Sequence, residues 1–443
     1  MPWRIPYNGR METIAIIGGG AAGLAAAVAA ARAVREEGDG RRTEVVVFEA
    51  DERVGRSILA TGNGRCNFSN AQVDAGMYRN AEFVGKVLEA LAADSAREAA
   101  DVGEDGFAAA LGCAADPVHA FFADLGLVWR EEGEGRLYPL ANKASSVLDV
   151  LRAALAREGV RVECEHRATR IDAPERAGDR WHVRFADGAI AHARAVIVTT
   201  GGRTARDLVP GALPFEAQRP VLGPLRTDTD LVKPLNNIRV RCTAALADPD
   251  GAPRAAEAGE VLFRDYGVSG IAVFNLSRFA RPGDALLLDL LPQFDARACE
   301  QNLRNRRARL GAPTGEGLLV GMFVSQVARA VLKQAGLRPD APFADGDAPA
   351  LARTLKGFAL AVRGVGDARQ CQVTRGGFAV AAFDARTLEA RELPGLFAAG
   401  EALDVDAPCG GYNLHWAWAS GIVAGRAAAA ALAKRKEKGT GRA

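Results

Sequence analysis

ETIAIIG (12–18) is a short apolar run rich in isoleucine, and a glycine cluster follows it. AAGLAAAVAAARAVREE (21–37) then reads as an alanine-rich helix that turns charged at its end, and TEVVVFEA (43–50) is a second β-branched run. Strand, glycine turn, helix, strand is a βαβ unit. Such units imply a parallel sheet buried on both faces.

Farther along, residues 81–128 carry helical periodicity, clearest in DPVHAFFADLGLVW (116–129), and ASSVLDVLRAALAREGV (144–160) is another amphipathic helix. RVECEHRATRIDA, RWHVRFADG and AIAHARAVIVTTGG (161–202) alternate like strands of a small antiparallel excursion, the last ending in the apolar run AVIVTTGG. Residues 206–290 mix short strands with turns such as ALADPDGAP (245–253), and 293–351 are richer in helix formers. From TRGGFAV (374–380) onward the glycine-and-strand texture of the N-terminus returns. There is no internal repeat and no long linker. The simplest organisation is one dinucleotide domain built from both ends of the chain, with an insertion between them.

Composition narrows the function. At 443 residues the chain exceeds one ordinary core, and 49% hydrophobic with 25% charged residues is globular usage. A formal charge of +2 gives no electrostatic sign of a nucleic-acid partner, and RNRRARL (304–310) reads as a solvated helix face. Seven scattered cysteines without a C-x-x-C pair argue against a disulfide framework or a zinc site. They suit a reducing cytoplasm. No apolar stretch is long and uninterrupted enough for a membrane span. Met11 could serve as the start, leaving 1–10 a frayed extension.

Gly18, Gly20 and Gly23 make G-x-G-x-x-G at the first strand-to-helix junction, with Ala22 inside it and Glu49 closing the second strand. The glycines allow a tight turn and close backbone approach, and the helix N-terminus offers bare N–H groups to a pyrophosphate. Glu49 would accept from the ribose hydroxyls. A second junction lies near the C-terminus, where LPGLFAAGEAL runs into Gly400 and Glu401, then into DVDAPCGGYNLHWAWASG. Glu401 would accept from a ribityl hydroxyl, and Gly410 and Gly411 would let amides approach a flavin's pyrimidine side. FAD is therefore the expected resident cofactor. Without a second fingerprint, NADH or NADPH is expected only as a transient donor.

The loop ILATGNGRCNFSN (58–70) then finds its use. Gly62 and Gly64 permit close approach, Arg65 supplies positive charge, and Asn67 a donor and acceptor. Cys66 is a candidate redox thiol, with a small packing residue as the alternative reading. Tyr412 and His415 are the titratable groups best placed to give a substrate its proton. Tyr412, His415, Arg65 and Cys66 are accordingly the catalytic candidates, and no metal site is expected. His119, His166, His182 and His192 read as structural.

GGGAAG, GRSILATGNGRCNFSN, RLYPLANKASSVLDVL, LFRDYGVSGIAVFNLSR and GLFAAGEALDVDAPCGGYNLHWAWASGIVAG together resemble the BaiN-type, aminoacetone oxidase-like flavoproteins, relatives of the fumarate reductase flavoprotein class. The resemblance runs over nearly the whole chain. It implies an α/β fold: a glutathione-reductase-type, Rossmann-like FAD domain (11–205 and 370–434), an inserted β-rich substrate domain (206–292 and 352–369) and a nested helical domain (293–351). It also implies cofactor contacts at Arg56, Ala168, Thr200, Gly201, Asn413 and Leu414, beside the motif residues above. Departures are His415 where Gln is usual, Cys409 where Thr is usual, and RTARDLVPGALPFEAQ in place of a glycine-rich run.

The expected activity is NAD(P)H-dependent reduction of a small organic acceptor such as a conjugated carbon–carbon double bond. The alternatives are an oxygen-using amine oxidase and a flavin-bound protein that binds RNA or another partner. A small molecule, with no nucleic acid and no membrane, is the expected partner.

Overall fold

The computed structural model describes residues 11–38, 42–102, 116–176, 179–202, 204–209, 211 and 213–440, without the side chains of 96–102 and 434–440. The extension at 1–10 and Cys113 lie outside the described residues. Contacts divide the chain into two compact units, one of 1–219 with 373–443 and one of 220–372.

The first unit is built on a five-stranded parallel sheet. Its strands are β1 (Glu12–Ile17), β2 (Thr43–Phe48), β3 (Arg161–Glu163), β4 (Ala195–Val198) and β5 (Leu396–Ala398), in spatial order β5-β4-β1-β2-β3. Ile14, Ile16, Val46 and Ile197 are completely buried, as β-branched residues of a sheet covered on both faces should be. Each such side chain contributes roughly 1.5–3 kcal/mol by leaving water. The excursion expected over 161–202 divides. Arg161–Glu163 joins the parallel sheet beside β2, while Ala168–Asp172, Trp181–Phe185 and Ile190–Ala193 form a separate antiparallel sheet. The alternation of 161–163 was the same in both readings; only long-range pairing assigned it.

The strand order reverses at β1. Successive strands run outward through β2 to β3, and then the chain returns on the other side as β4 and β5. Ligands of open α/β sheets bind beyond the carboxyl ends of the strands at such a switch point. Register brings Ile17, Phe48, Val198 and Ala398 into one row. Gly18, Glu49, Thr199 and Ala399 follow that row and open the site.

Helix α1 (Ala21–Glu36) leaves this edge, α2 (Pro117–Asp124) lies farther along the chain, and α3 (Tyr412–Thr440) ends it. α1 and α3 pack backbone to backbone. A Cβ on Gly421 would stand 2.4 Å from the Ala22 carbonyl oxygen, and one on Gly425 2.3 Å from that of Ala26. The alanine of α1 and the glycine of α3 are thus one feature, the small side chains that let two helices share a face.

The second unit contains a closed six-stranded barrel, formed by Leu225–Thr227, Gly267–Ser269, Pro253–Arg264, Arg239–Ala247, Ala285–Asp289 and Phe358–Val365 in that order. Val261, Phe263, Leu286, Leu288, Phe358 and Leu360 fill its interior. Between the last two strands in sequence lie the helices Ala296–Leu310, Gly315–Leu319, Ser325–Gln334 and Ala348–Lys356. The basic run of 304–310 is engaged within this unit. Arg304 pairs with Glu300, and Arg307 donates to the Phe343 carbonyl and reaches Asp345.

Candidate functional site

The first junction closes on itself. A Cβ on Gly23 would lie 1.9 Å from the Gly18 carbonyl oxygen, so this glycine presses the first turn of α1 onto β1. Gly18 has φ +109°, and a Cβ there would lie 2.8 Å from the Thr199 carbonyl oxygen. Thr199 holds the neighbouring strand in place, its hydroxyl donating to the carbonyls of Ile17 and Gly18. Gly20 is different. It precedes α1, and a Cβ there would meet no backbone among the described residues, with the Ser57 hydroxyl at 3.3 Å the one atom near, so its own backbone is left bare beside a movable side chain.

Glu49 accepts from the Gly19 N–H at 2.7 Å with one oxygen and from the Asp51 N–H at 2.9 Å with the other. It therefore shapes the turn, and each carboxylate oxygen keeps a second lone pair for a ribose hydroxyl. Arg56 lies in the short helix Arg56–Ala60 and pairs with Asp51 at 3.1 Å, its side chain more than half exposed. That helical turn was not legible in the loop, because Gly55 starts it from a left-handed conformation. Ala168 stands in the antiparallel sheet opposite Phe185. Gly201 has φ +71°, and the Thr200 hydroxyl is buried with no hydrogen-bond partner among the described residues.

The last junction is held together across the chain. Gly411 has φ +99°, and a Cβ there would stand 2.2 Å from the Ser69 carbonyl oxygen and 3.0 Å from the Asn67 amide oxygen. Asn70 donates to the carbonyls of Gly410 and Glu134, and Trp418 of α3 donates to the Phe68 carbonyl at 2.9 Å. The Tyr78 hydroxyl donates to the Tyr412 carbonyl. Thus the loop at 62–70 and the loop at 409–415 meet at the N-terminus of α3, whose dipole favours negative charge there. The Asn67 oxygen is buried without a hydrogen-bond partner among the described residues.

The remaining candidates are placed as follows. Gly400 (φ +64°) donates its N–H to the Ser420 hydroxyl and accepts from Trp416, fixing β5 to α3, and Glu401 follows half-buried. Asn413 closes the loop on itself, accepting from the Ala407 N–H and donating to the Ala407 carbonyl, while Leu414 packs against the core. Tyr412 is buried, which raises its hydroxyl's pKa. Ala22 is buried under Gly421. Gly64 has φ +83° with only the Leu59 carbonyl near.

Arg65 does not present a lone charge. Its guanidinium donates twice to Glu132 at 2.6 Å and to Asn142 at 2.5 Å, and it lies over the Tyr138 ring. Hydrogen bonds from Arg65 and then Arg130 hold the Glu132 carboxyl below its ordinary value. Cys66 is completely buried, and burial pushes its thiol up to about 11. Both nitrogens of His415 turn inward. Nδ1 lies 2.9 Å from the Ser69 hydroxyl, which also lies 2.7 Å from His119 Nε2. Burial holds the His119 imidazole below its ordinary value and drives His415 down to about 4, so both rings are neutral near pH 7. Ser69, Asn70, Asp116 and Thr199 did not stand out in the sequence. Short polar residues carry no local signal when their partners are distant.

These features fit FAD. A pyrophosphate suits the bare backbone at Gly20, and the two orphaned buried oxygens, Asn67 Oδ1 and Thr200 Oγ1, call for partners that the protein does not supply. Gly18, Gly20 and Glu49 would hold the nucleotide end, and Asn67 and the amides after Gly410 the flavin end. Bound FAD supplies hydride exchange.

Comparison with known proteins agrees. The model of the HI0933-like protein Rossmann domain matches residues 114–427, and that of an NAD(P)-binding Rossmann-like domain matches 16–77. A 3-dehydro-bile acid delta(4,6)-reductase of Clostridium scindens is 32% identical, covering 95% of this chain and 99% of its own. A ribosomal RNA dihydrouridine synthase of Escherichia coli is 29% identical, over 91% of this chain and 95% of its own. Among solved structures, a 3-ketosteroid-delta4-(5alpha)-dehydrogenase of Rhodococcus jostii is 16% identical with a TM-score of 0.45, over 96% of this chain and 98% of that one. Among the described residues no helix is long and apolar enough to cross a membrane. With the fingerprint, the switch point, the family model over 114–427 and the 32% identical reductase in agreement, the chain belongs to the HI0933-like family of Rossmann-fold flavoproteins and is an FAD-dependent oxidoreductase.

Proposed function

We propose that the protein reduces a carbon–carbon double bond conjugated to a carbonyl, using electrons from NADH or NADPH. The observation that carries this reading is the seating of Gly410 and Gly411 on Asn67, Ser69 and Asn70 at the N-terminus of α3. Backbone N–H groups and a helix dipole gathered there favour a ring system that gains negative charge. The names of two relatives support the bond type. A 3-dehydro-delta(4,6) bile acid is a conjugated dienone, and making dihydrouridine reduces the ring double bond conjugated to a uracil carbonyl.

Tyr412 is the proposed source of the proton: a Cβ on Gly410 would lie 2.8 Å from its ring, whereas the nitrogens of His415, the other candidate, meet Ser69 and face Asp116. Cytoplasmic placement belongs to the same reading, through the scattered cysteines without a C-x-x-C pair. The deciding experiment mixes the anaerobic holoenzyme with NADH and with NADPH, then with a steroid enone. Flavin bleaching by the nicotinamide and reoxidation by the enone is the expected sequence. Bleaching only by an amine, with peroxide released in air, would establish an amine oxidase and refute the proposal.

A second reading keeps the bond and changes the substrate to a uracil in RNA. It is favoured by two relatives named ribosomal RNA dihydrouridine synthase, 29% and 26% identical. Reoxidation by a uridine-containing ribosomal RNA fragment, with none by the enone, would select it.

A further inference from the structure

We propose that Asp116, His119 and His415 bind a divalent cation of the zinc class. Cysteine spacing gave no metal site, but the fold assembles one from other residues. Asp116 precedes α2, His119 lies in its first turn, and His415 lies in the first turn of α3. One donor atom from each lies within 4.8 Å of the other two, and this is the one such group of three among the described residues.

Counting protons shows why a cation belongs there. The Ser69 hydroxyl touches His119 Nε2 and His415 Nδ1, and it has a single proton to give. With two neutral rings it donates to one and accepts from the other. One of the outer nitrogens is then a bare lone pair. Those outer nitrogens both face Asp116, His119 Nδ1 at 3.8 Å and His415 Nε2 at 3.7 Å. A lone pair opposed to a carboxylate in a buried site is repulsive, and neither separation is a hydrogen bond.

A divalent ion removes the conflict. Both outer nitrogens and Asp116 become ligands, and both inner N–H groups donate to Ser69, whose oxygen has two lone pairs. One hydroxyl would then orient both ligand rings, as outer partners of metal-bound histidines do. Zinc bonds of roughly 2.0–2.1 Å place tetrahedral ligands about 3.3 Å apart; the two histidine-to-Asp116 separations of 3.8 and 3.7 Å are close to that, and the three donors, within 4.8 Å of one another, would draw together around the ion. Two imidazoles and a carboxylate, with no thiolate, suit zinc. The Asp116 side chain is 26% exposed, which gives the ion a way in. Asp116 Oδ1 also accepts from the Val118 and His119 N–H groups, so an Asp116→Asn variant retains the helix cap.

The experiment uses the full chain without a histidine tag, loaded with FAD and equilibrated with zinc sulfate. The expected result is one zinc per chain after gel filtration, with an X-ray absorption shell of two imidazoles and light oxygen or nitrogen donors. Asp116→Asn and His415→Gln should each lower bound zinc at least tenfold. A chelator should lower the wild-type melting temperature and leave that of Asp116→Asn unmoved. Substoichiometric zinc in the wild type, or a shell without two imidazoles, overturns the proposal whether or not the variants fold.

Discussion

At the first strand-to-helix junction Gly18 and Gly23 lie within six residues and close on each other; at the last, Gly410 and Gly411 close on Asn67, Ser69 and Asn70, some 340 positions earlier. Both junctions bring bare backbone to a helix N-terminus in the same unit. The first depends on a spacing rule that any chain with those glycines obeys. The second depends on a partner loop being delivered by the rest of the fold. Damage to the first should therefore act on folding, whereas damage to the second should act on the site with the sheet intact.

Gly23→Val tests the local half and has the largest expected effect. Its Cβ has 1.9 Å of clearance from a backbone carbonyl that cannot give way without separating α1 from β1. The expected loss is about 3 kcal/mol or more, beyond the ordinary range for overpacking, read by urea unfolding of the first unit. A stable Gly23→Val protein would mean that α1 does not sit on β1 as described.

Gly411→Ala tests the distant half. A positive φ and a contact at 2.2 Å with the Ser69 carbonyl should cost about 1–3 kcal/mol. Flavin release should be the first symptom and sheet unfolding the later one, followed by flavin fluorescence and circular dichroism on the same sample. Coincident loss of both would merge the two junctions into one cooperative element.

Glu49→Ala should weaken FAD binding by about 1.5–3 kcal/mol, the range for hydrogen bonds to a charged group, measured by titrating apoprotein with FAD. Part of that loss comes from the Gly19 and Asp51 amides left without an acceptor. Glu49→Gln, which keeps one acceptor oxygen, should lose less. Equal losses would assign the whole effect to charge.

Two smaller effects concern the loop at 62–70. With the Cys66 thiol pushed up to about 11, roughly a hundredfold fewer thiolates than at a pKa of 9 are available near pH 8. Cys66 should stay unlabelled by a thiol reagent until the protein unfolds, and rapid native labelling at this residue by mass spectrometry would contradict its burial. Arg65→Ala should lower the flavin midpoint potential by less than about 30 mV, the equivalent of 1.4 kcal/mol for two electrons, because the Arg65 side chain is 37% exposed and solvent screens its charge. Glu132→Gln should raise it by a similar amount, in a dye-coupled titration. A larger drop in Arg65→Ala would mean that solvent does not screen Arg65 from the flavin.

The sequence by itself determined the βαβ unit, the fingerprint and its acidic partner, and the return of the chain to the same domain at its end. Those features rest on local periodicity, on glycine spacing and on turn chemistry such as the Asp248 side chain that accepts from the Asp250 and Ala252 N–H groups. It also gave glycines of both loops a close approach to the cofactor, though no local rule brings the two loops together. Only the tertiary structure decided that Arg161–Glu163 is a parallel strand, that Arg65 is balanced by Glu132, and that the His415 ring meets Ser69, His119 and Asp116. A hydrogen bond between residues 346 apart leaves no trace in the pattern along the chain. Its energy depends on direction and burial, and those exist only once the sheet, α2 and α3 have packed.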